Sequence, residues 1–201
     1  FEKACPSLDI EPAEISWDYV YSREKLATLK GKKLHGKRNH INKFIQEHPD
    51  YEYMKLEPSM YDECIGVYDE WRADKGLSEN EFSNERRSVV LAIRNMEALG
   101  LTGGVIKLDG KIKAFTIGER LRKDIQLIHI EKADADINGL FPMINQQYVL
   151  HECQDVEYIN REEDMGVEGM RKAKRSYCPD YMVKKYFAAK GKLTRQELSV
   201  E

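Results

Sequence analysis

The sequence predicts a mixed α/β fold with a central, largely antiparallel sheet flanked by helices, and three observations carry that prediction. Asp109-Gly110 separates two strand-like apolar runs, the strongest short hairpin signal because both positions tolerate positive φ. Ahead of the hairpin, one strand-like stretch is followed by two segments with apolar residues at three- and four-residue spacing. Behind it, a third strand leads into a helix-strand-helix-strand alternation, the pattern of a sheet covered by helices.

In chain order, residues 1–20 hold Pro6, Pro12 and several acids without a sustained period and read as a connector. Ser22 can cap a helix carrying Leu26 and Leu29. A second helix over 33–48 puts Leu34, Ile41, Phe44 and Ile45 on one face and ends at Pro49. Tyr51–Leu56 reads as a strand. Tyr61, Cys64, Ile65, Tyr68 and Trp71 form the stripe of the next helix, which Gly76 stops, and Trp71 and Tyr68 read as core. Val89, Val90, Ile93 and Met96 mark a further helix, opened by Ser83 and closed by Gly100. Strands are expected at 101–108, 111–117 and 125–131, then a helix from Leu140 to His151, a strand at 156–160, a helix at 166–175 and a final strand at 181–187.

With 201 residues the chain can bury a substantial core. A net charge of -3 provides no global cationic field, so any contact with nucleic acid must be local. No apolar run approaches the roughly 18 residues of a membrane-spanning helix, and no signal peptide is evident. Cys5, Cys64, Cys153 and Cys178 are widely spaced without a C-x-x-C pair. Buried free thiols in a reducing cytoplasm are expected, with no metal site.

Residues 30–43 contain six Lys and Arg side chains and no acid. Arg38 falls within the apolar arc of the second helix and Asn42 borders it. An inward guanidinium needs a carboxylate, carbonyl or phosphate: either an internal ion pair, for example to Glu131, or a substrate anion. The surrounding lysines, Lys37 among them, are either a solvated face or a phosphate-binding strip. If the third meander strand is regular, Ile125, Leu127, His129 and Glu131 share a face, setting a histidine beside a carboxylate that can deprotonate an acceptor amine. The alternative is a pair of structural polar residues.

Two further segments bear on ligands. Acetyl-CoA enzymes of the acyltransferase fold seat the pyrophosphate on a glycine-rich turn at a helix N-terminus. Here residues 131–142 supply only Gly139, with Asn138 beside it and with Asp134 and Asp136 repelling an anion, which argues against acetyl-CoA. From Asn160, a strand end runs into a helix, where open sheets place ligands. Asn160, Glu162 and Asp164 can bind an amine or hydroxyl acceptor, and Arg171, Lys174 and Arg175 share a helix at three- and four-residue spacing. A salt-bridged helix surface is the alternative.

The element order matches the succession of the GNAT-like (acyl-CoA N-acyltransferase) fold. Longer motifs point the same way: Lys30-Gly-Lys-Lys-x-His-x-Lys-Arg-Asn-His-Ile-Asn-x-Phe44, Trp71 with Lys75-Gly76, Leu101-Thr-Gly-Gly-Val105, Ile130-Glu-Lys-Ala-Asp134 and Asn160-x-Glu-x-Asp-x-Gly-x-x-Gly-x-Arg-x-Ala-Lys174. Over roughly residues 19–186 the chain resembles the C-terminal catalytic part of bacterial phosphatidylglycerol lysyltransferases, relatives of the Fem aminoacyltransferases.

The resemblance implies a GNAT-like domain over 21–190, a tail over 191–201, and an upstream domain of the same kind whose trailing end is 1–20. It further implies a cytoplasmic transferase that takes an aminoacyl group from aminoacyl-tRNA, without a cofactor, to an amine or hydroxyl on a small molecule, peptide or lipid headgroup. Glu131 and His129 are then the catalytic candidates; Lys37, Arg38, Asn42, Asn138, Asn160, Glu162, Asp164, Arg171 and Lys174 are the substrate-binding ones. The competing readings are a non-catalytic module binding tRNA or another anion, and an acetyl-CoA-dependent N-acetyltransferase.

Overall fold

The structure, a computed structural model, describes residues 7–74 and 83–190. Cys5, the Lys75-Gly76 pair and the 191–201 tail lie outside the described residues. In chain order the elements are β1 (Leu8–Pro12), β2 (Asp18–Ser22), α1 (Arg23–Thr28), α2 (His35–Glu47), β3 (Glu52–Lys55), α3 (Tyr61–Asp74), α4 (Ser83–Arg94), β4 (Leu101–Leu108), β5 (Lys111–Arg122), β6 (Ile125–Ala133), α5 (Leu140–Glu152), β7 (Tyr158–Asn160), α6 (Glu168–Arg175), β8 (Tyr181–Val183) and β9 (Tyr186–Lys190). They fall into two units, residues 22–159 and residues 1–21 with 160–201.

The larger unit is built on β3-β4-β5-β6, antiparallel throughout, with β7 beside β6. Asp109 and Gly110 take φ of 50° and 75° between β4 and β5, the left-handed pair that a two-residue hairpin requires. Alternation along the strands sends Val105, Phe115, Ile117 and Ile130 to one face. There they form a core with Cys64, Val67 and Tyr68 of α3 and with Val89 and Ile93 of α4. The opposite face, with Ile106, Ala114 and Ile128, receives α5 through Met143, Ile144 and Tyr148, and α1 and α2 pack against α5. Gly118 is fixed by close approach on this face: a Cβ there would lie 2.2 Å from the Leu127 carbonyl oxygen and 3.0 Å from the Tyr148 hydroxyl.

In the smaller unit β1 pairs antiparallel with β9, Leu8 opposite Lys190, and β2 pairs antiparallel with β8, Asp18 opposite Val183. Two expectations are corrected here. Residues 8–12 and 18–22 are strands, although 1–20 read as a connector, because their partners lie more than 160 residues away and leave no local pattern. The final strand expected at 181–187 is two strands, β8 and β9, each with a different partner. Among the described residues, no helix is long and apolar enough to cross a membrane.

Candidate functional site

Arg38 is the inward-leaning base of α2, and the structure supplies its partners. Its guanidinium donates to the carbonyl oxygens of Leu29 and Gly31, the latter at 2.9 Å. Both belong to the turn between α1 and α2, where Leu29 (φ 49°) and Gly31 (φ 100°) reverse the chain. The internal ion pair with Glu131 is therefore replaced by a tether onto backbone carbonyls. A guanidinium fits this role because its donors fan out in one plane and can take two acceptors together. Lys37 is half-buried and Asn42 exposed on the same helix.

β6 is not regular. Ile128 faces Gly118 and Ile130 faces Ile117, so His129 is an extra residue, a β-bulge. The bulge shifts the alternation. His129 Nε2 reaches Glu119 Oε1 of β5 at 3.1 Å, on the face of Ile117 and Ile130. Glu131, opposite Thr116, turns to the α5 face, where Asn145 Nδ2 donates to its Oε2 at 2.7 Å. The regular alternation expected to set His129 and Glu131 on one face is thus broken at the bulge, and Asn145, an amide that was not foreseen, bonds the carboxylate. Asn145 is 1% exposed and opens the amide run Asn145-Gln146-Gln147 of α5, so nothing in the sequence set it apart from its polar neighbours.

Lys132, next to Glu131, points to the α3 face, with Nζ 3.4 Å from the centre of the Trp71 ring and 3.0 Å from Glu85 Oε1. Burial lowers its pKa, against the opposing pull of the Glu85 carboxylate. Tyr68 donates to the other Glu85 oxygen at 3.1 Å, completing the cage. Sequence reading missed this arrangement because it joins residues from three elements.

The turn from β6 into α5 tests whether the fold's usual coenzyme fits. Gly139 has φ 86°, and a Cβ there would lie 2.4 Å from the His40 carbonyl oxygen of α2. Asn138 Oδ1 lies 2.9 Å from His40 Nδ1, closing the same contact. Pro142 has no N–H to offer within the first turn of α5, and the Leu140 N–H is already engaged by the Ile137 carbonyl at 3.3 Å. Asp134 pairs with Lys113 at 3.0 Å and accepts the Asp136 N–H at 3.1 Å, which folds the acids into the turn. Helix α2 thus fills the approach that a pyrophosphate would need, and the residues present do not fit coenzyme A.

The remaining candidates lie in the smaller unit, around Asp164, which is 2% exposed. Its carboxylate receives Arg171 Nε at 2.8 Å and Nη2 at 3.1 Å, the Tyr19 hydroxyl at 2.6 Å and the Gly166 N–H at 2.9 Å. Burial pushes this carboxyl up, but the guanidinium, the hydroxyl and the N–H pull it further down, to about 2. Lys174 Nζ donates to the carbonyls of Arg161 at 2.6 Å and Glu162 at 3.2 Å, and to that of Glu163. Asn160 bridges Asp18 Oδ2 (3.1 Å) and the Glu162 N–H (2.8 Å), while Glu162 takes φ 55°. These side chains anchor the 160–167 loop, with Arg171 and Lys174 turned inward onto it.

Glu131 and Asn145 are therefore brought together, as are Asn138 and His40, and Asn160, Asp164, Arg171 and Lys174 form a second cluster in their own unit. The fold is a GNAT-like α/β domain whose pyrophosphate seat is closed. Residues 2–189 match the family described as "Phosphatidylglycerol lysyltransferase, C-terminal", and the chain belongs to that family.

A conserved protein of unknown function from Bacteroides thetaiotaomicron is 44% identical, with a TM-score of 0.89 over 93% of this chain and 64% of that one. L-PGS from Bacillus licheniformis is 16% identical with a TM-score of 0.69, covering 98% of this chain and 69% of its own. A tandem GNAT protein from the clavulanic acid biosynthesis pathway is 12% identical with a TM-score of 0.51, over 96% and 58%. The chain thus spans about two thirds of the Bacteroides protein's length.

Proposed function

We propose that this domain transfers an aminoacyl group from an activated ester, carried by tRNA, to an amine or hydroxyl acceptor. The observation that carries this reading is the pairing of Glu131 with Asn145 on the α5 face of β6, beside a turn that does not fit coenzyme A. Family membership supports the same reaction class.

In this reading Asn145 holds one oxygen of Glu131 at a fixed angle and so aims the carboxylate at the acceptor. The acceptor N–H or O–H gives its proton to Glu131 as its lone pair attacks the ester carbonyl. The tetrahedral intermediate collapses with cleavage of the ester C–O bond, and the departing ribose oxygen takes the proton back from Glu131. The reaction forms one amide or ester, breaks one ester and needs no redox partner.

The Asp164 cluster is read as holding the 160–167 loop of its own unit in place. The chain is read as the C-terminal half of a tandem protein working in the cytoplasm, where aminoacyl-tRNA is made. Phosphatidylglycerol is the first acceptor to test, because the family's description names it.

The experiment follows the release of a radiolabelled amino acid from aminoacyl-tRNA, with and without phosphatidylglycerol vesicles and small amines. Acceptor-dependent transfer supports the reading. An absence of transfer, together with a thermal shift induced by coenzyme A, contradicts it.

A further inference from the structure

The basic segment Lys30–Lys43 has no role in the chemistry above, and its geometry differs from that of a merely solvated helix face. Arg38 is turned into the turn it tethers, at Leu29 and Gly31. The turn that carries Lys30, Lys32 and Lys33 is thereby tied to α2, so these ammonium groups are displayed from a braced scaffold. Lys30, Lys32, Lys33 and Lys43 are exposed, and Lys32 and Lys33 have no ion-pair partner among the described residues. The acids near the ends, Glu24 (3.9 Å from Lys30) and Glu47 (3.5 Å from Lys43), form open surface pairs that contribute little. α2 has 13 residues and so extends this charge over roughly 20 Å.

We infer that the Lys30–Lys43 face is a binding surface for the sugar-phosphate backbone of RNA, with Lys32 and Lys33 as phosphate contacts and Arg38 as the residue that positions them. A lipid bilayer is the other large polyanion, but a helix that lies on a membrane inserts a row of bulky apolar side chains. On α2 Ile41 and Phe44 are buried and Ile45, 40% exposed, is a single apolar side chain and not a row; the other outward positions include His35, Asn39, His40, Asn42 and Gln46, groups that hydrogen-bond phosphate and ribose hydroxyls. This inference rests on the proposed donor only in naming RNA as the carrier.

The test is fluorescence anisotropy of a labelled, uncharged RNA hairpin across a salt series, with phosphatidylglycerol vesicles as a parallel probe. The full chain is expected to bind the RNA with a log-log salt dependence. The Lys32→Ala/Lys33→Ala double variant should weaken binding about tenfold or more at low salt and flatten the slope by about 1.5, the loss of two phosphate contacts. Lys123→Ala, an exposed lysine in the β5–β6 turn, should do neither.

Wild-type affinity in the double variant, no RNA binding by the native chain, or binding to vesicles in place of RNA would each overturn the inference. Uncharged RNA separates the two proposals. Strip-dependent RNA binding without transfer removes the proposed reaction and keeps the surface. Transfer that survives in the double variant with unchanged RNA affinity removes the surface and keeps the reaction.

Discussion

Asn145 Nδ2 lies 2.7 Å from Glu131 Oε2, so a fully buried amide on α5 fixes a half-buried carboxylate on β6. A hydrogen bond to a charged acceptor is worth about 1.5–3 kcal/mol when the surrounding groups cannot re-pair. Asn145→Ala is expected to lower stability to urea by about 2 kcal/mol and to reduce transfer, since the carboxylate loses its angle. A variant that is as stable and active as the native protein would show that Glu131 is oriented by something else.

Arg38 bonds two carbonyls of one turn. Arg38→Lys supplies a single point donor where a fork is needed. It should cost about 1–2 kcal/mol in thermal or urea unfolding, with Glu131→Ala unable to change that loss in a double-mutant cycle. Coupling between the two sites would restore the ion pair that the structure replaces.

His129 sits at the bulge with Glu119, in an exposed pair. His129→Ala should change stability by less than about 1 kcal/mol and leave the transfer rate at the native level. A rate fall of tenfold or more without unfolding would return the histidine to the catalytic group.

Asp164 gives the smaller unit its acid sensitivity. Its carboxyl is held at about 2, below the ordinary carboxylate value it regains on unfolding, so the folded protein binds its proton less readily than the unfolded chain does. The resulting stabilisation, about 2 kcal/mol, is fully present above pH ~4 and fades as pH falls through about 2. Arg171→Ala removes the largest downward pull and should shift the acid transition of this unit to higher pH, as read by the fluorescence of Trp17 in that unit. An unchanged acid midpoint would contradict the assignment.

These residues also show where sequence reading reaches and where it stops. The Asp109-Gly110 hairpin and the stripes of α3, α4 and α5 were legible because turn chemistry and helical periodicity are local. β1 and β2 were not, since their partners are residues 186–190 and 181–183, and neither a half-exposed β1 nor a β2 buried along its length alternates with period two. That Arg38 needs a partner followed from its place on the apolar arc. Which partner depended on the positive φ of Leu29 and Gly31, which folds two carbonyls toward it. His129 and Glu131 share a face in any regular strand, and one bulge, which residue types do not reveal, breaks that alternation.

Glu131 is the group on which the proposed proton transfer depends. Glu131→Gln keeps an acceptor for Asn145 and removes the base, so the decisive measurement is the steady-state rate of aminoacyl transfer by this variant beside its melting temperature. The expected result is a fall in kcat of about 100-fold or more, with KM for the donor and the melting temperature near native. A variant that transfers at the native rate, or that loses activity only because it unfolds, would contradict the claim that this carboxylate moves the proton.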